Sequence, residues 1–209
     1  MSLSQDAYEI IRRKIITLEF APGDILDEHH LQEETGLGRT PVREALQRLA
    51  LEQLVNIIPR RGMYVTEISI TDLRELFEVR LPMEELAAEL AAQRGTERQF
   101  AEMRKTLTML TDENIPDHDT LIKVDETFHH LVYKAAHNKF LHHAITPLLG
   151  LGIRLWYLAL PQIGGLQQAV YEHKDILDAL EARDGKEAAR LLRDHVETFQ
   201  ENIQAAMIA

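Results

Sequence analysis

The alternation of apolar and polar residues divides this chain near residue 69. Before that point, Gln5 to Leu18 places Ala7, Ile10, Ile11, Ile15 and Ile16 on one helical stripe. Ala21-Pro22-Gly23-Asp24 then reads as a turn. A short helix is expected over about 27–35, stopping at Gly36, and a second over about Arg39 to Glu52. Two apolar runs follow, Leu54–Ile58 and Met63–Ile68, separated by Pro59-Arg60-Arg61-Gly62, which predicts a hairpin.

Beyond Ser69 the pattern is helical almost throughout. Helices are expected near 71–94, 96–113, 118–136, 139–149, 150–160, 165–183 and 185–206, most of them separated by breakers such as Gly95, Pro116, Asn138 and Asp184-Gly185. The predicted fold is mainly α. It comprises an N-terminal winged helix-turn-helix over 1–69 and a C-terminal all-α antiparallel helical bundle over 70–209. About 140 residues suffice for the bundle to bury its own core.

Composition narrows the chemistry. The chain has no cysteine, which excludes disulfides and thiolate ligands, and 45% of its 209 residues are hydrophobic. The opening MSLSQDAYEI lacks the basic and then apolar blocks of a signal peptide. The longest apolar stretch, 148–160, is too short to span a bilayer and contains Arg154. A cytoplasmic location without membrane attachment is expected. The formal net charge of −11 argues at first against a nucleic-acid partner. That average conceals residues 39–61, where five arginines face two glutamates.

Those arginines are arranged for DNA. On a helix advancing 100° per residue, Val42, Ala45, Leu46 and Leu49 form the buried stripe of the second short helix. Arg39, Arg43 and Gln47 line the opposite side, with Thr40 at its margin. Arginine matches a guanine edge or a phosphate bidentately. Arg48 points away from this set. At the hairpin tip Arg60 and Arg61 supply a second basic element, and Gly62 permits the close turn.

GLGRTPVREALQRLALEQLVNIIPRRGMYV, residues 36–65, resembles the winged helix-turn-helix of the GntR family of bacterial transcription regulators. The resemblance implies DNA contacts at Arg39, Thr40, Arg43, Arg61 and Gly62. Gly38 stands where the family usually has Ser or Thr, and His29 where some relatives have arginine.

Eight of the ten histidines lie after residue 69. Most read as surface or capping residues, but three fall on inward apolar stripes. Asp125 and His129 share a face with Leu121, Phe128 and Val132. His173 lies with Val170, Leu177 and Leu180, and His195 with Ala188, Leu192 and Phe199. Inward polar groups need partners. These could be separate, internally satisfied core residues, with Asp125 bonded to His129, or ligands converging on a divalent metal. Imidazole and carboxylate suit zinc first, with nickel, manganese or iron also compatible. Arg80 is a further inward oddity, one turn before Glu84. It is either half of a core ion pair or a clamp for an organic acid, and Arg154 is a weaker candidate for the second role.

Residues 70 to about 205 resemble the FCD ligand-binding domain of the FadR-type GntR regulators. The matching elements are D-x-x-x-H at 125–129, E-H-x-x-I-L-x-A-L at 172–180 and D-H-V at 194–196. The resemblance implies Asp125, His129, His173 and His195 as metal ligands. The whole then reads as a metabolite-responsive regulator, a repressor in the family's usual mode. It would be a homodimer on a pseudo-palindromic operator, its affinity set by a small organic-acid effector. Two alternatives are a metal-dependent enzyme and a ligand-free regulator with a structural metal. No H-E-x-x-H, G-x-S-x-G or Gly-rich phosphate loop supports the enzyme.

Overall fold

The computed structural model describes residues 2–108, 117–159 and 170–208. Its elements are α1 (Leu3–Ile16), α2 (Glu28–Thr35), α3 (Arg39–Leu51), β1 (Val55–Ile58), β2 (Gly62–Val65), α4 (Ile70–Arg94), α5 (Glu97–Leu107), α6 (His118–Ala135), α7 (Lys139–Ala159), α8 (His173–Glu181) and α9 (Gly185–Ile208). None of these helices is long and apolar enough to cross a membrane. Contacts divide the chain into two compact units. The first comprises Met1–Ser69 with Gly150–Leu158, and the second Ile70–Leu149 with Ala159–Ala209.

In the first unit, Ala7, Ile11 and Ile15 of α1 meet Leu31 of α2 and Val42, Ala45, Leu46 and Leu49 of α3 around one core. Ile10, expected on the inner stripe of α1, is exposed, and Tyr8 is buried instead. The reason is a polar clasp. The Tyr8 hydroxyl donates to Glu52 at 2.8 Å, and Arg48 stacks its guanidinium 3.5 Å from the Tyr8 ring centre. Arg48 also donates to Gln5 and Glu52, so it joins α3 to α1. Asp27 caps α2 by accepting from the His30 amide, and Gly36 ends it in the left-handed conformation at φ 67°. Gly38 begins α3 without a side-chain cap bond.

The hairpin pairs β1 with β2 antiparallel, from Val55↔Val65 to Ile58↔Gly62. Its second strand ends at Val65, short of the predicted Ile68. Residues 23–26 lie along β2, with Gly23 and Leu26 amides donating to Val65 and Met63 carbonyls at 2.9 and 2.8 Å. At the tip, Arg60 adopts φ 66° and Gly62 φ 116°. The latter is a conformation that side-chain-bearing residues rarely adopt.

The second unit is helical. Ala87, Ala88, Ala91 and Ala92 give α4 a shallow buried face, against which α9 packs with Leu192, Val196, Phe199 and Ile203. The amphipathic helices α5, α6 and α8 complete the packing. Pro82 lies inside α4 on its exposed side, where water can satisfy the carbonyl whose helical partner it removes.

The separate helices expected at 139–149 and 150–160 are one, α7, with Pro147 inside it. Gly150 is no breaker there. Its missing side chain makes room for Arg12 of α1, whose Nη2 would lie 2.5 Å from an added Cβ. The expected ends of the 96–113 and 165–183 helices fall partly at 109–116 and 160–169, outside the described residues.

Gly95 closes α4 under tight constraint. A Cβ there would stand 2.6 Å from the Ala91 carbonyl oxygen and 2.7 Å from the Phe100 ring. Gly95→Ala should therefore destabilise the protein by about 1–3 kcal/mol, as overpacking does, read as a lower urea midpoint.

Candidate metal centre and nucleic-acid interface

Three helices of the second unit bring Asp125, His129, His173 and His195 together. Asp125 and His129 stand one turn apart on α6, His173 is the first residue of α8, and His195 lies mid-way along α9. All four are buried, and one potential ligand atom from each lies within 4.8 Å of every other. The Asp125 Oδ1 is 3.7, 3.4 and 3.5 Å from the Nε2 atoms of His129, His173 and His195. Donors about 2.0–2.2 Å from one ion sit roughly 3–3.5 Å from each other, so these separations are those of a shared coordination shell. The Nε2 of His129 is buried with no hydrogen-bond partner, and those of His173 and His195 face each other at 3.2 Å. Two lone pairs so placed repel unless a proton or a cation stands between them. An Asp/His₃ donor set with an orphaned inward nitrogen therefore fits a divalent metal.

A second layer orients the rings. His129 Nδ1 lies 3.2 Å from Glu84 Oε2, and His195 Nδ1 lies 3.0 Å from Glu172 Oε2. A carboxylate on the far nitrogen fixes the tautomer that turns Nε2 inward. His173 is held differently, stacked on Phe128 with ring centres 4.4 Å apart, and its Nδ1 has no partner. Glu84 serves several groups at once. It accepts from the Tyr133 hydroxyl at 2.6 Å and from Arg80 Nε at 2.9 Å, so Arg80 is one carboxylate away from His129. The Arg80 guanidinium lies 5.7 and 6.0 Å from the ring centres of Phe77 and Phe199.

Burial and charge compete throughout this cluster. Burial disfavours the Glu84 carboxylate, yet His129 and Arg80 beside it prevail and hold its pKa at about 2. Asp125 is likewise kept ionised well below the usual carboxylate range, because its histidine neighbours outweigh its burial. Burial, reinforced by the charge of His195, drives His173 well below an ordinary imidazole. For His195 burial works against protonation, but its bonds to Asp125 and Glu172 win and raise its pKa to about 9.

A cleft of about 190 Å³ opens beside His195, lined by Glu172, Asp175, Ile176, Leu191, Asp194 and Thr198. Its described lining has three carboxylates, with His195 as the one basic side chain. Arg154 belongs to the first unit, whereas Arg80 and the cluster belong to the second. It is fully buried and donates from Nη2 to the Thr66 carbonyl at 2.6 Å, while its Nε and Nη1 have no partner among the described residues. Burial lowers its pKa to about 10.

The first unit presents the other candidate site. Arg39, Thr40, Arg43 and Gln47 are all exposed on α3, opposite its buried stripe. Arg60, Arg61 and Gly62 are exposed at the wing tip, where the Arg61 carbonyl accepts from the Tyr64 hydroxyl at 2.8 Å. Arg39 and Arg43 share an unforeseen partner, Glu28, the first residue of α2.

Comparison with known proteins identifies two segments of the chain. Residues 3–65 match the bacterial regulatory proteins of the gntR family, and residues 75–198 match the FCD domain. The chain belongs to the GntR family. It is a DNA-binding transcription regulator of the FCD-containing type, not an enzyme. It is 29% identical over 204 residues to the HTH-type transcriptional repressor RspR of Escherichia coli K12, covering 97% of this chain and 89% of RspR. It is 28% identical over 214 residues to the HTH-type transcriptional repressor GlaR of the same strain, covering 98% and 97%. Among solved structures, E. coli McbR/YncC has the same fold, with a TM-score of 0.84 at 24% identity over 100% and 98% of the two chains. A putative GntR regulator from Rhodococcus sp. RHA1 follows, with a TM-score of 0.75 at 23% identity over 98% and 99%.

Glu84, Tyr133 and Glu172 were not among the ligand candidates read from sequence. Tyr133 stands one turn beyond His129 and Glu172 directly precedes His173, so spacing offered a signal for both. The link from Glu84 to His129 crosses 45 residues and had none. Because Glu84 neutralises a buried guanidinium, Glu84→Ala should destabilise the second unit by about 3–5 kcal/mol, measured by chemical denaturation.

Proposed function

We propose that this GntR regulator holds a divalent metal at Asp125, His129, His173 and His195, and that a small organic acid bound near it alters operator affinity. The observation that carries the reading is the convergence of three Nε2 atoms and one carboxylate oxygen, with a carboxylate behind two of the rings. Zinc suits the donors first, with nickel, manganese or iron also compatible. Such an ion would offer Lewis-acid coordination to a carboxylate oxygen. Arg80, already coupled to His129 through Glu84, is the charged group of the second unit suited to an anion. Arg154, the other candidate, lies in the first unit and has two buried donors unfilled among the described residues. The acidic cleft beside His195 would not itself attract an anion. Within the second unit, effector binding therefore rests on the metal and Arg80.

Operator DNA is read by Arg39, Thr40, Arg43 and Gln47, with Arg60, Arg61 and Gly62 of the wing contacting phosphate or the minor groove. On α4, Val79, Pro82 and Leu86 form an exposed apolar stripe at helical spacing, which supports a homodimer and hence a pseudo-palindromic site. Repression is the mode favoured by the two relatives named as repressors. Such a protein acts in the cytoplasm. A second reading, a structural metal without effector, is favoured by the closed Arg80–Glu84 pair. A thermal-shift screen of small organic acids with and without divalent metal separates the two. A metal-dependent shift with an acid supports the sensor, and stabilisation by metal alone supports the structural role.

His195→Ala should lose bound metal by elemental analysis, and stoichiometric metal in that variant would remove it from the ligand set. Arg43→Ala should abolish sequence preference while the fold survives. Wild-type affinity for DNA should fall steeply with salt, by a log–log slope of about −0.9 per phosphate contacted. A flat response would contradict the assigned interface.

A further inference from the structure

Two of the three arginines of α3, Arg39 and Arg43, share one acidic partner. Glu28 is largely covered, its side chain 20% exposed, while those of Arg39 and Arg43 are 68% and 57% exposed. Its Oε2 accepts from Arg39 Nε at 3.1 Å and its Oε1 from Arg43 Nε at 2.7 Å. One carboxylate thus takes a single N–H from each of two guanidiniums one helical turn apart. Every arginine fork has five N–H donors, so four remain on each for another partner. The Nε position is the one that can be given up while the outer edge, which matches O6 and N7 of guanine, stays free.

We infer that Glu28 is a positioning residue for sequence readout, a buttress that aims both arginines at base edges and keeps them from phosphates. This rests on Arg39 and Arg43 being the reading residues. The carboxylate lowers the mutual repulsion of the two cations, restricts their rotamers and so reduces the ordering entropy left for binding. It also repels a phosphate brought close to the same guanidiniums. Operator binding gains from the first effect, and random DNA loses from the second. A merely structural bridge between α2 and α3 would do neither. Exposed pairs of this kind contribute little to stability, so loss of the fold is not expected to follow from loss of the bridge.

The test is in vitro selection from a random duplex library with wild type, Glu28→Gln, Glu28→Asp and Arg43→Ala, followed by sequencing. Each protein is then titrated, over a range of salt, with the duplex selected by wild type and with a scrambled duplex of the same composition. Glu28→Gln should weaken the selected duplex about 10-fold or more and bind the scrambled one several-fold tighter. On scrambled DNA its salt dependence should steepen by about one phosphate. Glu28→Asp keeps the charge and the helix-start position but is one methylene shorter, so it should lose preference at one part of the motif only. Equal changes on both duplexes would reduce Glu28 to a charge effect, and unchanged preference in both Glu28 variants would overturn the buttress. If Arg43→Ala selected the wild-type motif, the assignment of the reading residues would fail, and the role of Glu28 with it.

Discussion

The second unit depends on a set of charged and polar groups that its own packing would otherwise expel. Arg80, Glu84, Asp125, His129, His173 and His195 are all buried among Leu, Phe and Ala side chains of four helices. Isolated charges in such surroundings cost several kcal/mol each, and only mutual pairing makes them tolerable. The pairing runs without a break from Arg80 through Glu84 to His129 and Tyr133, and from Asp125 through the histidines to Glu172. Because its longer links tie α4 to α6, and α6 to α8 and α9, the network constrains how these four helices meet. Hydrophobic packing alone would specify that arrangement less sharply.

The same device recurs at the other end of the chain's chemistry. In the second unit two imidazoles whose far nitrogens point at a common centre each have their own carboxylate behind them, Glu84 for His129 and Glu172 for His195. In the first, a carboxylate stands behind two guanidiniums whose outer edges point to solvent. In both cases the acidic group leaves the working edge of the nitrogen base free and removes its freedom to turn. The overall acidity of the protein is thus compatible with DNA binding, since part of it serves the cationic groups directly.

Much of this was legible along the chain, for definite reasons. Helical periodicity marks Val42, Ala45, Leu46 and Leu49 as a buried face and, by subtraction, Arg39, Arg43 and Gln47 as an exposed one. It equally shows polar residues on stripes where only apolar ones should be, which is how Asp125, His129, His173 and His195 stand out. Periodicity is silent about contacts between elements. The buttressing of Arg39 and Arg43 by Glu28, and of His129 by Glu84, required the tertiary fold. Local rules also misjudged α7, which they divided between residues 149 and 150. Gly150 is instead demanded by the close approach of Arg12, a packing requirement that no local pattern encodes.

The wing tip carries a consequence of a different kind. Arg60 holds a left-handed backbone angle that glycine adopts freely and that costs other residues about 1–2 kcal/mol. A hairpin selected for rigidity alone would place glycine there, as it does at Gly62. Retaining an arginine means that the tip gives up folding free energy to keep a cation at its outermost point. On the proposed DNA interface, thermal robustness and grip on the polyanion are therefore opposed at this one residue. Any relative adapted to higher temperature would have to resolve that conflict anew.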